Sequence, residues 1–374
     1  MLTRLRMDSV EYYSKRRETI KELEESRKSS IITYFTVTDR VNCRILQITD
    51  DVLWPMYQLL SGIGSKDKIE LFIYTRGGAM MTAPTIVKMF REYSKEFNVI
   101  IPFRCHSAGT QIALGADHIV MSSIGQLSPI DPTTVNTFNP LLSPQSNPLD
   151  PAQRKPISVE DVQAYLNLAI ERVDLRSEND RLEVFKELTK NVEPLALGNV
   201  NRVYSATRSI AEEMLSLHMN NKNDRENIKR ITKALTETYP HDFIITRDKA
   251  KMIGLKIVKP TKYEEELMMK LYSQYVEDLK MDSPLDLDTV LTNSSVLQQQ
   301  SPQQSVPSQS PPSIWIKGGA LESSLDSFEY IFKGVILPPI TQVTQAGPIQ
   351  KDATINYKYG SWINYRKIGG MKFE

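Results

Sequence analysis

The chain has 374 residues and 42.7 kDa, enough for one large or two medium domains, and its 40% hydrophobic content supplies a substantial core. Its 46 Lys+Arg nearly cancel its 45 Asp+Glu, so no net field favours nucleic acid or an anionic membrane. Two cysteines, Cys43 and Cys105, give no basis for a disulfide framework or zinc site, and no run is apolar enough for a signal peptide or a membrane span; a cytoplasmic protein is expected.

Met7 to about Lys28 reads as an exposed amphipathic helix, so residues 1–29 form an N-terminal extension. Ser30 to Thr38 and Cys43 to Thr49 are β-branched runs that predict consecutive strands about a turn at Asp39 to Asn42. An alternation follows: strand Ile69 to Tyr74, turn Thr75 to Gly78, helix Met81 to Phe97, strand Val99 to Phe103, turn Arg104 to Gly109, helix Thr110 to Gly115, strand His118 to Met121. Short apolar strands alternating with helices predict an α/β fold of parallel βαβ units, with functional turns at strand C-termini.

After Leu127 a proline-rich excursion predicts a long functional or mobile loop. Helical sequence resumes at Ser158, with Asp161 in capping register, and continues through Ser158 to Leu175, Asp180 to Leu188, Asn199 to Met219 and Arg225 to Thr238. YPHDFIITRDKAKMIGLKIV reads as turn, short strand, helix from about Arg247 and a stop at Gly254. The main domain spans 30–280; 281–312 is a Gln/Ser/Pro linker and 313–374 an aromatic-rich tail, a small β-rich unit or a docking segment for a protein partner.

Two turns carry the chemistry. Thr75-Arg76-Gly77-Gly78 lies between strand and helix, where glycines let backbone N–H groups approach a ligand closely and form an oxyanion hole; one such donor is worth roughly 3 kcal/mol in a transition state. His106-Ser107-Ala108-Gly109-Thr110 sets a serine at a second strand-to-helix turn, where it is either a helix cap or a nucleophile. One helix separates the turns, and the pair is far more specific than either alone.

The stretch Glu70 to Pro132, with TRGG, SAGT, ALGADHIVM and GQLSPIDP, resembles the Clp protease/crotonase superfamily. Within it the resemblance is to signal-peptide-peptidase-like serine proteases, above all the serine dehydrogenase proteinases. It extends more loosely to HDFIITRDKAKMIGLKIV and so covers about Ser30 to Val258. It implies a spiral of ββα units assembled as a homo-oligomer, a peptide or protein substrate and no cofactor or metal. Ser107 is then the nucleophile, with the amides around Gly77, Gly78 and Ala108 receiving the oxyanion.

The resemblance leaves the base open. Clp proteases place a histidine downstream of the serine, where this chain has Asp131 and Pro132; signal peptide peptidases use a lysine, and the first after Ser107 is Lys155. A lysine serves as base only where desolvation or neighbouring cations lower its pKa, and the plain reading of Lys155 is a solvated side chain beside Arg154. His241, followed by Asp242, is the alternative base; His106 and His118 read as packing residues, and Asp131 as a loop organiser. Arg76 either binds a substrate carboxylate or pairs with an acidic neighbour. Competing readings are a non-proteolytic, crotonase-like acyl-thioester enzyme and an inactive oligomeric scaffold in which Ser107 only caps a helix.

Overall fold

The structure, a computed structural model, describes residues 2–41, 43–130, 133–147, 150, 153–221, 224–240, 242–285, 287, 313–337, 340–344, 347–351 and 354–365. It divides into two compact units: Met1–Arg76, Met89–Pro102 and Pro260–Glu374 form the first, Gly77–Lys88 and Phe103–Lys259 the second.

In the first unit, α1 (Leu2–Arg27) buries Tyr13, Arg16, Ile20 and Leu23, the three- and four-residue spacing of one helix face. β1 (Ser30–Thr36) is buried at every residue from Ile31 on, as a strand covered on both faces must be. α2 (Leu53–Ile63) turns Met56, Leu59 and Leu60 inward and leads to β2 (Lys66–Tyr74), parallel to β1 with Leu71 opposite Ile32. After the Thr75–Gly78 turn, α3 (Thr82–Tyr93), whose residues up to Lys88 belong to the second unit, runs directly into β3 (Ser94–Ile101), parallel to β2.

In the second unit, β4 (Arg104–Cys105), α4 (Ala108–Leu114), β5 (His118–Met121) and β6 (Gln126–Leu127) follow in quick succession, and β4 pairs in parallel with β6. The antiparallel pair β7 (Thr133–Thr134) and β8 (Ile157–Ser158) closes the proline-rich excursion. Inside it the buried Asn139 amide donates to the carbonyls of Thr134 and Lys155, both at 2.9 Å, satisfying loop backbone that no ladder reaches. α5 (Val159–Asn167) starts at Ser158, whose hydroxyl accepts the Asp161 N–H at 3.2 Å, as the sequence predicts.

α6 (Glu178–Asn191), α7 (Pro194–Ser216) and α8 (Asp224–Lys233) follow. β9 (Ile245–Thr246) joins β6 antiparallel, α9 (Arg247–Ile253) stops at Gly254, and β10 (Ile257–Val258) lies parallel to β5.

The chain then returns to the first unit with α10 (Lys262–Asp278), β11 (Ser313–Ser323), β12 (Ser327–Leu337), the hairpin of β13 (Ile340–Thr344) and β14 (Gly347–Lys351), and β15 (Thr354–Asn364). β11 adds antiparallel to β1, and β12 and β15 extend the sheet, giving the order β3-β2-β1-β11-β12-β15 in this unit. The tail is β-rich, and its strands are built onto the N-terminal ones. Arg16 secures them: two of its N–H groups meet Glu322 at 2.8 Å and a third meets Asp278 at 2.7 Å, while Lys317 reaches Asp278 at 2.7 Å and Glu329 at 3.0 Å. Charges removed from water in this way are tolerated because each has a partner.

Two expected boundaries are corrected. Cys43 to Thr49 is not a strand: β2 and β11 occupy both edges of β1, so the run has no edge to join and instead packs Leu46 on Ile314, Ile316 and Phe332. The predicted helix Met81 to Phe97 ends at Tyr93, because Ser94 already pairs with Lys66 and the residues from Phe97 to Ile101 are buried in the sheet. Most of the linker, 288–312, lies outside the described residues.

Candidate active site

The two turns identified from the sequence touch. Gly77 has φ +106°, and a Cβ there would stand 2.7 Å from the Ser107 Cβ, 2.9 Å from the His106 carbonyl oxygen and 3.2 Å from the Ala108 nitrogen. Only glycine fits this approach and this backbone conformation. A second close contact seats α4 on α3, since a Cβ on Gly115 would lie 2.5 Å from Val87 Cγ1.

Ser107, half-buried, has φ +49° and ψ −114°, a conformation that costs a non-glycine residue about 1–3 kcal/mol. Its side chain makes no capping hydrogen bond to α4, which removes the ordinary reason for a serine at this position. The strain therefore serves neither the cap nor the helix.

Both main-chain groups of Ser107 are engaged. Its N–H donates to Ser128 Oγ at 2.8 Å, its carbonyl accepts from Gln111 N–H at 3.1 Å, and Gly109 N–H closes the turn on the His106 carbonyl at 2.8 Å. Ser128 in turn donates to the Pro129 carbonyl at 2.8 Å, and its N–H reaches Thr110 Oγ1 at 3.2 Å. Sequence reading gives no role to Ser128 or Thr110; their presence in GQLSPIDP and SAGT is the signal that could have found them.

Of the remaining candidates, Arg76 donates to Asp39 from Nε and Nη2 at 2.9 and 2.6 Å, and Tyr74 hydroxyl donates to the same carboxylate. Burial, with Asp39 beside it, pushes the Tyr74 hydroxyl well above its ordinary value. Lys155 is exposed; its N–H bonds to the Pro140 carbonyl at 2.7 Å, and no hydrogen bond joins it to Ser107. His118 is exposed at the start of β5. His241 and Asp131 lie outside the described residues.

Cys105, two positions before Ser107, is fully buried, and burial alone pushes its thiol up, so the reactive thiolate is suppressed. In the folded protein at pH 8, iodoacetamide should leave Cys105 essentially unmodified, with complete alkylation only after denaturation; peptide mapping reads both. Ready alkylation in the folded state would contradict this packing.

Residues 1–144 match the ClpP-like SDH-type serine proteinases. That stretch holds both turns, whereas Lys155 and His241 lie beyond it. Two uncharacterized proteins of Methanocaldococcus jannaschii are related. One is 26% identical over 271 residues, 70% of this chain and 79% of its own length; the other is 26% identical over 207 residues, 55% of this chain and 57% of its own.

Among solved structures, a mutant of the 1510-N membrane-bound stomatin-specific protease aligns over 63% of this chain and 83% of its own at 13% identity and TM-score 0.34. A probable enoyl-CoA hydratase/isomerase from Mycobacterium abscessus aligns over 68% and 81% at 12% identity and TM-score 0.28. At the level of the family, the match is to a serine peptidase. No helix among the described residues is long and apolar enough to cross a membrane.

Proposed function

We propose that this protein hydrolyses peptide bonds through an acyl-enzyme on Ser107. The observation that carries the reading is the strained, uncapping Ser107 packed against Gly77. The Ser107 oxygen attacks the scissile carbonyl, and its proton passes to the general base, for which Lys155 is the first candidate. The oxyanion is received by amides among Gly77, Gly78 and Ala108. Collapse expels the amine, which takes the proton from that base, and water then hydrolyses the ester by the same route.

Of the two readings of Arg76, its pairing with Asp39 supports the acidic neighbour rather than a substrate carboxylate. His241 is the alternative proton acceptor. Oligomerisation and a partner bound through the tail belong to the same reading, as does a cytoplasmic location.

The base assignment is tested by fluorophosphonate labelling of the wild type, Lys155→Ala and His241→Ala. Loss of a base costs about a hundredfold in rate. The reading expects that loss in Lys155→Ala and little change in His241→Ala; the reverse moves the base to His241. Turnover of an acyl-CoA by a protein that cleaves no peptide would overturn peptide hydrolysis in favour of thioester chemistry.

A further inference from the structure

We infer that Ser128 is the positioning residue of this site: its hydroxyl holds the nucleophile's main chain in its strained positive-φ conformation and withdraws the Ser107 amide from the set of oxyanion donors. This rests on the assignment of Ser107 as nucleophile.

The hydrogen-bond directions are determinate. Ser128 uses its hydroxyl proton on the Pro129 carbonyl at 2.8 Å, so its oxygen presents lone pairs to the Ser107 N–H, also at 2.8 Å. Ser128 is only 5% exposed, which shields both bonds from water. Its main chain is fixed in turn by Thr110, a fully buried residue whose hydroxyl oxygen accepts the Ser128 N–H and lies 3.0 Å from the carbonyl oxygens of both Cys105 and Ser128, to either of which it can donate. Thr110 thereby ties the strand entering the nucleophile turn to the segment that braces it.

The arrangement has a chemical consequence. An unengaged Ser107 N–H would be available to a tetrahedral oxyanion forming on its own side chain; bound to Ser128 it is not, and the charge falls on the Ala108 amide and the Gly77–Gly78 turn. The same bond keeps the Ser107 Oγ from relaxing towards the capping geometry that a serine at a helix start otherwise adopts.

The test compares the full-length wild type with Ser128→Ala, Ser128→Cys and Ser128→Thr, reading the maximal fluorophosphonate labelling rate, the probe concentration at half-maximal rate, and hydrogen exchange at the Ser107 amide. A displaced nucleophile costs up to about a hundredfold. Ser128→Ala should lose about ten- to a hundredfold in maximal rate with the half-maximal concentration unchanged, Ser128→Thr should stay near wild type, and Ser128→Cys, with its weak sulfur acceptor, should fall between. Ser107 amide exchange should accelerate in the same order.

Wild-type labelling or unchanged Ser107 exchange in Ser128→Ala overturns the inference, as does an equal loss in the Ala and Thr variants. If Ser128→Ala does not fold, Cys and Thr variants with equal rates overturn it. The underlying nucleophile assignment fails separately, through labelling that survives Ser107→Ala, whatever the Ser128 variants do.

Discussion

Ser107→Ala should abolish hydrolysis, lowering both peptide cleavage and fluorophosphonate labelling by about a thousandfold or more, because no other group replaces the covalent nucleophile. Ser107→Gly should be equally inactive yet more stable than Ser107→Ala by about 1 kcal/mol, because glycine adopts a positive φ without the penalty borne by any residue with a Cβ. Urea unfolding of the two variants reads the difference. A glycine variant no more stable than the alanine variant would mean that the backbone at 107 is not strained.

Gly77→Ala should be the most damaging change outside the nucleophile. The added methyl meets the Ser107 Cβ at 2.7 Å and the His106 carbonyl at 2.9 Å, and φ +106° is unfavourable for alanine in any case. Backbone strain and overpacking together cost about 2–4 kcal/mol. The same displacement separates the two turns and removes an oxyanion donor, a loss of about a thousandfold in labelling. Gly62→Ala in α2 is the control: nothing lies within 4 Å of its Cβ, and a helical glycine replaced by alanine gains about 0.5–1 kcal/mol. Folded, active Gly77→Ala protein would show that the turns do not need their close approach.

The site was legible where its chemistry is local. Positive φ at Gly77 and a serine between strand and helix are choices written into a few adjacent residues, and the structure joins the two turns. The Ser158 cap and the Gly254 stop were legible for the same reason. Thr261 with Glu264 marks the start of α10 by an equally local capping box, and a search for that pattern beyond Val258 would have found the helix.

Long-range pairing left no such mark. Ser128 meets Ser107 across 21 positions, and β11 finds β1 across roughly 290. Neither partner announces the other in its own neighbourhood. Cys43 to Thr49 shows the complementary limit: a β-branched run reports that a segment will be buried, and whether it joins a ladder depends on whether an edge remains. Arg16 has the residue type of a solvated helix face, and it is buried because Glu322 and Asp278 come to it from the far end of the chain.

The central claim is that Ser107 is the nucleophile, and mapping the covalent adduct tests it most directly. Wild-type protein is labelled with a fluorophosphonate, digested with trypsin and sequenced by mass spectrometry. The account predicts a single adduct on Ser107, in the peptide Cys105–Arg154. An adduct on any other residue, or folded protein that takes up no probe, would contradict it.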